Sequence, residues 1–131
     1  MRKRISNGRS RHPTTRKRLG RRAEQRALAY LQRRGLRLVT RNYRCRFGEI
    51  DLIMRDNDCI VFVEVRFRTS ISFAPPALTV DTFKQSRIEK TAQSYLARHP
   101  RHADHPARFD VIAIDSADGA AGTIQWIRDA F

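Results

Sequence analysis

Two apolar runs on either side of a turn constrain this chain more than any other feature. The first is Phe47-Gly48-Glu49-Ile50-Asp51-Leu52-Ile53-Met54, and the second is Cys59-Ile60-Val61-Phe62-Val63-Glu64-Val65-Arg66-Phe67-Arg68. Both are rich in Val, Ile and Phe and both read as strands. Arg55-Asp56-Asn57-Asp58 between them is a turn-forming cluster, so the unit reads as a β-hairpin. With Asn57-Asp58 as a two-residue loop, Asp51 falls opposite Glu64 and Glu49 opposite Arg66. Residues two apart on a strand share a face, so all four polar side chains lie together, away from the turn. Ile53, Phe62 and Ile60 continue that face toward the turn. The Cβ atoms of Asp51 and Glu64 would stand roughly 5 Å apart, where like charges are destabilising. A divalent cation between them resolves the repulsion.

Charge widens the picture. The 131 residues carry a formal net charge of +14, which attracts polyanions and says nothing about fold. Residues 1–18 hold eight Lys or Arg, no acid and almost no apolar side chain, and read as a disordered basic arm. Residues 19–131 are enough for a single domain with one modest core. No apolar stretch is long enough to span a membrane, and no apolar segment follows the basic N-terminus as in a secretory signal. Cys45 and Cys59 lack C-x-x-C spacing, so reduced thiols in a cytoplasmic protein are the expectation.

Helical periodicity covers Gly20 to Arg34, with Ala23, Ala27, Tyr30 and Leu31 on one side and Gly35 as the stop. Leu36 to Tyr43 reads as a first strand. Ser70 to Pro76 reads as a loop, because Pro75-Pro76 cannot join a ladder. Thr79 or Asp81 can cap a second helix that runs to Arg98, with Val80, Phe83, Ile88, Ala92, Tyr95 and Leu96 apolar and Pro100 at its end. Ala107 to Asp115 alternates as a strand, Asp118-Gly119 marks a turn, and Thr123 to Arg128 is a last strand. The order α-β-β-β-α-β-β predicts an α/β fold, a mixed central sheet flanked by helices.

Mg²⁺ is usually held by one or two carboxylates, with waters and substrate phosphate oxygens completing its shell. Asp51 and Glu64 supply two carboxylates, and Arg66 a fixed positive charge beside them that can stabilise a developing phosphate charge. Glu24 is the one acid in the first helix and becomes an outer ligand if that helix packs over the polar end of the hairpin.

The segments Gly20-Arg21-Arg22-Ala23-Glu24, Gly48-Glu49-Ile50-Asp51-Leu52-Ile53 and Val61-Phe62-Val63-Glu64-Val65-Arg66-Phe67-Arg68 resemble the bacterial YraN family over residues 20 to 128. That family is largely uncharacterised and is placed with the PD-(D/E)xK, restriction-endonuclease-like nucleases. The resemblance implies a restriction-endonuclease-like core. It implies Asp51 and Glu64 as metal carboxylates, the carbonyl of Val65 facing the metal, Arg66 in the lysine position and Glu24 as the helix-borne acid. It also implies Mg²⁺ or Mn²⁺ as cofactor, DNA as substrate and endonuclease chemistry. Two positions depart from the pattern. Ile50 replaces the name-giving proline, and Arg66 replaces lysine. Arginine cannot give up its proton, so it orients or stabilises but cannot act as a neutral base.

Each reading has a plainer rival. Glu49 and Glu64 can be surface partners of Arg66 and Arg68, pairs worth little. Glu24 can pair within its own helix with Arg21. Arg44, Arg46 and Arg68, beside Tyr43 and Phe47, suit a phosphate-binding rim or a solvated basic edge. Lys84, Arg87 and Lys90 on the second helix, with Gln85 a weaker candidate, suit contact with a DNA backbone or a solvated face. His99, His102 and His105 tempt a zinc reading, although exposed loop histidines are commoner. Asp110 is a candidate neighbour of the hairpin site, and Trp126 reads as core. The functional alternatives are a metal-dependent nuclease acting on DNA, a non-catalytic nucleic-acid-binding module that keeps the nuclease fold, and a partner of RNA or the ribosome. Homodimers are an analogy from branched-DNA enzymes of this fold. No membrane and no small-molecule cofactor are expected.

Overall fold

The computed structural model describes residues 15–68, 82–115 and 123–131, excepting the side chains of 15–19 and Arg68. The expected loop at 70–76, the caps at Thr79 or Asp81 and the turn at Asp118-Gly119 lie outside these residues. Helix α1 (Thr15–Arg33) is followed by strands β1 (Arg37–Cys45), β2 (Gly48–Asp56) and β3 (Cys59–Arg68). Helix α2 (Thr82–Arg98), a short helix α3 (Pro100–Ala103) and strands β4 (Ala107–Asp115) and β5 (Thr123–Ile127) complete the described elements. The strands form one mixed sheet in the order β1-β2-β3-β4-β5, with helices on both faces. This is the expected mixed α/β architecture, and it is consistent with a restriction-endonuclease-like core.

Local chemistry explains the elements. Helix α1 begins at Thr15, so residues 15–18 of the expected basic arm are helical; the rest of that arm lies outside the described residues. Its C-terminus closes on Gly35, which adopts φ +95. The N–H of Leu36 donates to the carbonyl of Leu31 and that of Gly35 to Gln32, satisfying two carbonyls the helix would otherwise orphan. Pro100 ends α2 and then starts α3, where its missing N–H costs nothing. Helix α3 falls where the sequence predicts a loop with exposed histidines.

The β2–β3 register is the expected one. Leu52 pairs with Val63, Ile53 with Phe62 and Asp56 with Cys59, leaving Asn57-Asp58 as the loop. Asn57 takes a left-handed φ of 54 there, a conformation asparagine tolerates. Strands β1 and β2 form a second tight hairpin around Arg46-Phe47, with a bulge between Leu38 and Thr40. Strands β3 and β4 run parallel, which requires a crossover, and α2 lies in that connection.

The sheet separates two cores. Ala23, Ala27, Leu28 and Leu31 of α1 pack on Leu52, Met54, Val61, Val63, Ile112 and Ile114. Ile88, Ala92 and Tyr95 of α2 pack on Ile53, Ile60, Phe62 and Val111. Ile53, Phe62 and Ile60 therefore do form the face expected from the hairpin alternation. That face carries α2, and its polar continuation is the candidate site.

Candidate active site

The β2–β3 ladder stops at Leu52–Val63. Beyond it, the main-chain N–H of Val65 donates to Asp51 Oδ2 at 2.8 Å. A side-chain carboxylate thus takes a main-chain donor on the side of β3 that faces β2. The two strands part where the acids begin, and the expected pairing of Glu49 with Arg66 does not form. Glu49 instead lies beside Arg44 of β1, at 3.4 Å, in an exposed ion pair worth little.

The gap opens into a cleft of about 460 Å³ lined by Gly48, Glu49, Asp51, Glu64, Lys84 and Arg87, with Phe83 and Ile88. Strands β2 and β3 supply the acids, and the first turns of α2 supply the cations. Glu64 is buried. Lys84 Nζ reaches Glu64 Oε2 at 2.7 Å, and Arg66 Nη1 stands 3.7 Å from the same oxygen. Arg87 Nε donates to the carbonyl of Phe47 at 3.1 Å and ties α2 to the β1–β2 turn. Gly48 makes that approach possible. Its φ is +152, and a Cβ there would stand 3.2 Å from Thr91 Oγ1.

Electrostatics mark Asp51. Burial, then the neighbouring charge of Glu64, pushes its pKa up to about 8, against the Val65 N–H that favours the ionised form. Glu24 and Glu49 push in the same direction. Glu24 of α1, held by the Asn42 amide at 3.1 Å, is therefore within electrostatic reach of the site from the opposite helix. Among the described residues no group of three or more His, Cys, Asp or Glu side chains converges as a metal cage. Two carboxylates at an open main-chain edge suit a hydrated Mg²⁺, which keeps several waters, better than an ion that demands four protein ligands.

The other expected residues fall in different places. Lys84, foreseen as a backbone contact, sits on Glu64. Sequence does carry the signal: Lys84, Ile88, Thr91 and Tyr95 recur at helical spacing, and the last three are buried. Lys90 is exposed on α2, and Arg46 lies over the Phe47 ring at 4.9 Å. Arg68 ends β3, and its side chain is not among those described. Asp110 does not belong to the site. It is fully buried, accepts from Arg108 Nε at 3.0 Å, from the Trp126 indole at 2.9 Å and from the N–H of Asp129 at 2.9 Å. It joins β4 to β5 and the C-terminal turn. Trp126 is part of the α1-side core, as expected.

The profile of the uncharacterised protein family UPF0102 matches residues 23–114, a span that includes every cleft residue named above. A UPF0102 protein of Stutzerimonas stutzeri is 50% identical over 112 residues, covering 86% of this chain and 92% of the relative. One from Nitrosomonas europaea is 51% identical over 109 residues, 83% of this chain and 89% of the relative. One from Nitrosococcus oceani is 49% identical over 119 residues, 91% and 95% of the two chains.

Proposed function

Since the chain belongs to the uncharacterised, YraN-like UPF0102 family, we propose from its cleft that it is a Mg²⁺- or Mn²⁺-dependent nuclease-like protein that hydrolyses phosphodiester bonds in DNA. The observation that carries this reading is Asp51, a carboxylate that shares its cleft with Glu64, Lys84 and Arg87, with Arg66 and Lys84 set on Glu64. Asp51 and Glu64 would hold the ion. The carbonyl of Val65 lies on the same side of β3 as the N–H that Asp51 accepts, so it can join them. When bound, the ion supplies an acidified water and neutralises phosphate charge.

The chain's own groups do the rest. The ammonium of Lys84 and the guanidinium of Arg66 present positive charge where a phosphate would enter. Lys84 places an ammonium near the position where Arg66 replaces the usual lysine. Arg87 holds the β1–β2 turn against α2 and keeps the cleft mouth in place. Hydrolysis forms one P–O bond to water and breaks one ester P–O bond, with a proton passing to the leaving oxygen.

A second reading rests on a specific contact. Glu64 already has Lys84 at 2.7 Å and Arg66 at 3.7 Å, so the site can also persist as a self-neutralised, non-catalytic nucleic-acid-binding module. A cleavage screen over linear, nicked, branched and single-stranded DNA with Mn²⁺ separates the two. The nuclease reading expects cutting by the wild type, lost in Asp51→Asn and Glu64→Gln with DNA binding retained. Equal cutting by both variants removes it, and binding without cutting by the wild type favours the module.

A further inference from the structure

The sequence drew attention to His99, His102 and His105, and the cleft makes no use of them. His99 and His102 converge on Tyr95 at the opposite end of α2, and the His105 ring lies 6.3 Å from that of His102. The Tyr95 and His99 rings stack at 4.0 Å, with His102 5.8 Å from Tyr95 and nearly parallel to it. His99 Nδ1 engages the carbonyl of Tyr95 at 2.8 Å, and His102 Nδ1 engages the Tyr95 hydroxyl at 2.9 Å. Each of these two rings is anchored through Nδ1, and Nε2 is its remaining polar atom. His99 Nδ1–H donates to the carbonyl, so the Nε2 of neutral His99 is an acceptor; the His102 tautomer that accepts from the Tyr95 hydroxyl at Nδ1 carries its proton on Nε2 and is a donor there. No metal cage forms among the described residues, so zinc is not the ligand this cluster suits.

What surrounds the rings is cationic. A pocket of about 570 Å³ is lined by Arg55, Arg98, His99, Arg101, His102 and His105, with Pro100. Arg55 comes from the turn end of β2, Arg98 from the last turn of α2, and Arg101 and His102 from α3. Burial, then the neighbouring His99, His105, Arg55 and Arg101, holds the His102 pKa below its ordinary value.

Geometry relates this pocket to the cleft. Lys84 and Arg98 stand fourteen residues apart on one helix, which at 1.5 Å per residue is about 20 Å. The exposed Lys90 lies between them. Helix α2 lies on one face of the sheet, and Tyr95 is buried in that face's core. At about 3.4 Å per base pair, the separation matches roughly six base pairs of duplex.

We propose that the pocket of Arg55, Arg98, Arg101 and the three histidines is a second phosphate-binding site, which holds the backbone of the nucleic acid whose scissile phosphate lies in the acidic cleft. The inference rests on the nucleic-acid reading of that cleft. Guanidinium forks and the imidazole N–H of His102 match phosphate oxygens, and backbone contacts position a duplex without reading its sequence. The same chemistry would also accept a free phosphate.

The test measures binding of a 20-base-pair duplex in EDTA over a series of NaCl concentrations. Wild type, Arg98→Ala/Arg101→Ala and a control, Arg33→Ala/Arg34→Ala at the end of α1, are compared. Each duplex phosphate neutralised contributes about −0.9 to the log–log salt slope. The pocket variant is expected to bind more weakly with a slope shallower by about 1.8, and the control less affected on both counts. An unchanged slope in the pocket variant, with the wild type still binding, overturns the second site and leaves the cleft reading intact. Failure of the wild type to bind duplex at any salt overturns the second site and leaves the cleft reading to the cleavage screen. In a parallel titration, inorganic phosphate is followed by the His102 imidazole NMR signals. Saturation at micromolar phosphate, together with an unchanged duplex slope, assigns the pocket to a free anion and overturns the backbone assignment.

Discussion

Among the described residues, Asp51 departs furthest from ordinary carboxylate chemistry. It is half-buried, repelled by Glu64, Glu24 and Glu49, and held by one main-chain N–H. Its raised folded-state pKa has a definite sign in stability. In the unfolded chain the group titrates near 3.8, and in the folded chain near 8. Between those values the folded state binds the extra proton, so this group's contribution is fully present below the lower value and is lost as pH rises through the upper one. In chelator, the wild-type urea midpoint should therefore fall from pH 5 to pH 9, by the equivalent of a few kcal/mol. Asp51→Asn should lose much less over the same range, since the amide does not titrate. Parallel declines in the two proteins would show that Asp51 is not the group responsible. Added Mn²⁺ should reverse the alkaline loss in the wild type, because the ionised pair is the form that binds a cation.

At the scale of the elements, the hairpin carries the site, and the hairpin was legible. A two-residue loop at Asn57-Asp58 leaves one register, and that register alone puts Asp51, Ile53, Phe62 and Glu64 on one face. The long periodic segments were legible for the same reason. Helix α1, read from Gly20, starts at Thr15 because Arg, Lys and Leu are good helix formers even in a stretch whose charge resembles a disordered arm. What sequence left open was tertiary. The ladder's stop at Leu52–Val63, the seat of Lys84 on Glu64 and the capture of Asp110 by Arg108 and Trp126 all depend on how elements meet. The meeting of α2 with the β1–β2 turn predicts a sensitive glycine. Gly48→Ala forces a Cβ to 3.2 Å from Thr91 Oγ1 at a φ that favours glycine. It should cost about 1–3 kcal/mol in urea unfolding. An unchanged midpoint would mean that α2 does not close on this turn.

At the scale of the molecule, two polar centres among the described residues divide the work. At one, Asp110 and Arg108 form a satisfied ion pair with Asp56, Trp126 and the Asp129 N–H, and they join β2, β4, β5 and the C-terminal turn. Asp110→Asn leaves Arg108 its contact with Asp56 but takes the ionised acceptor from the Arg108, Trp126 and Asp129 donors. It should lower stability by about 1.5–3 kcal/mol in urea unfolding and leave metal binding of the remaining folded protein unchanged. At the other centre Asp51 and Glu64 line one cleft where the strands part, and the repulsion that helps raise the Asp51 pKa is the reason to expect a cation. The most direct measurement is therefore the thermal unfolding midpoint against Mn²⁺ and Mg²⁺ concentration, for the wild type and for Asp51→Asn. Binding to the folded state alone stabilises by about 2.7 kcal/mol at a hundred times the dissociation constant. The wild-type midpoint is expected to rise with saturating metal while that of Asp51→Asn stays nearly flat. Equal shifts in the two proteins, or none in the wild type, would contradict a metal site at Asp51 and Glu64.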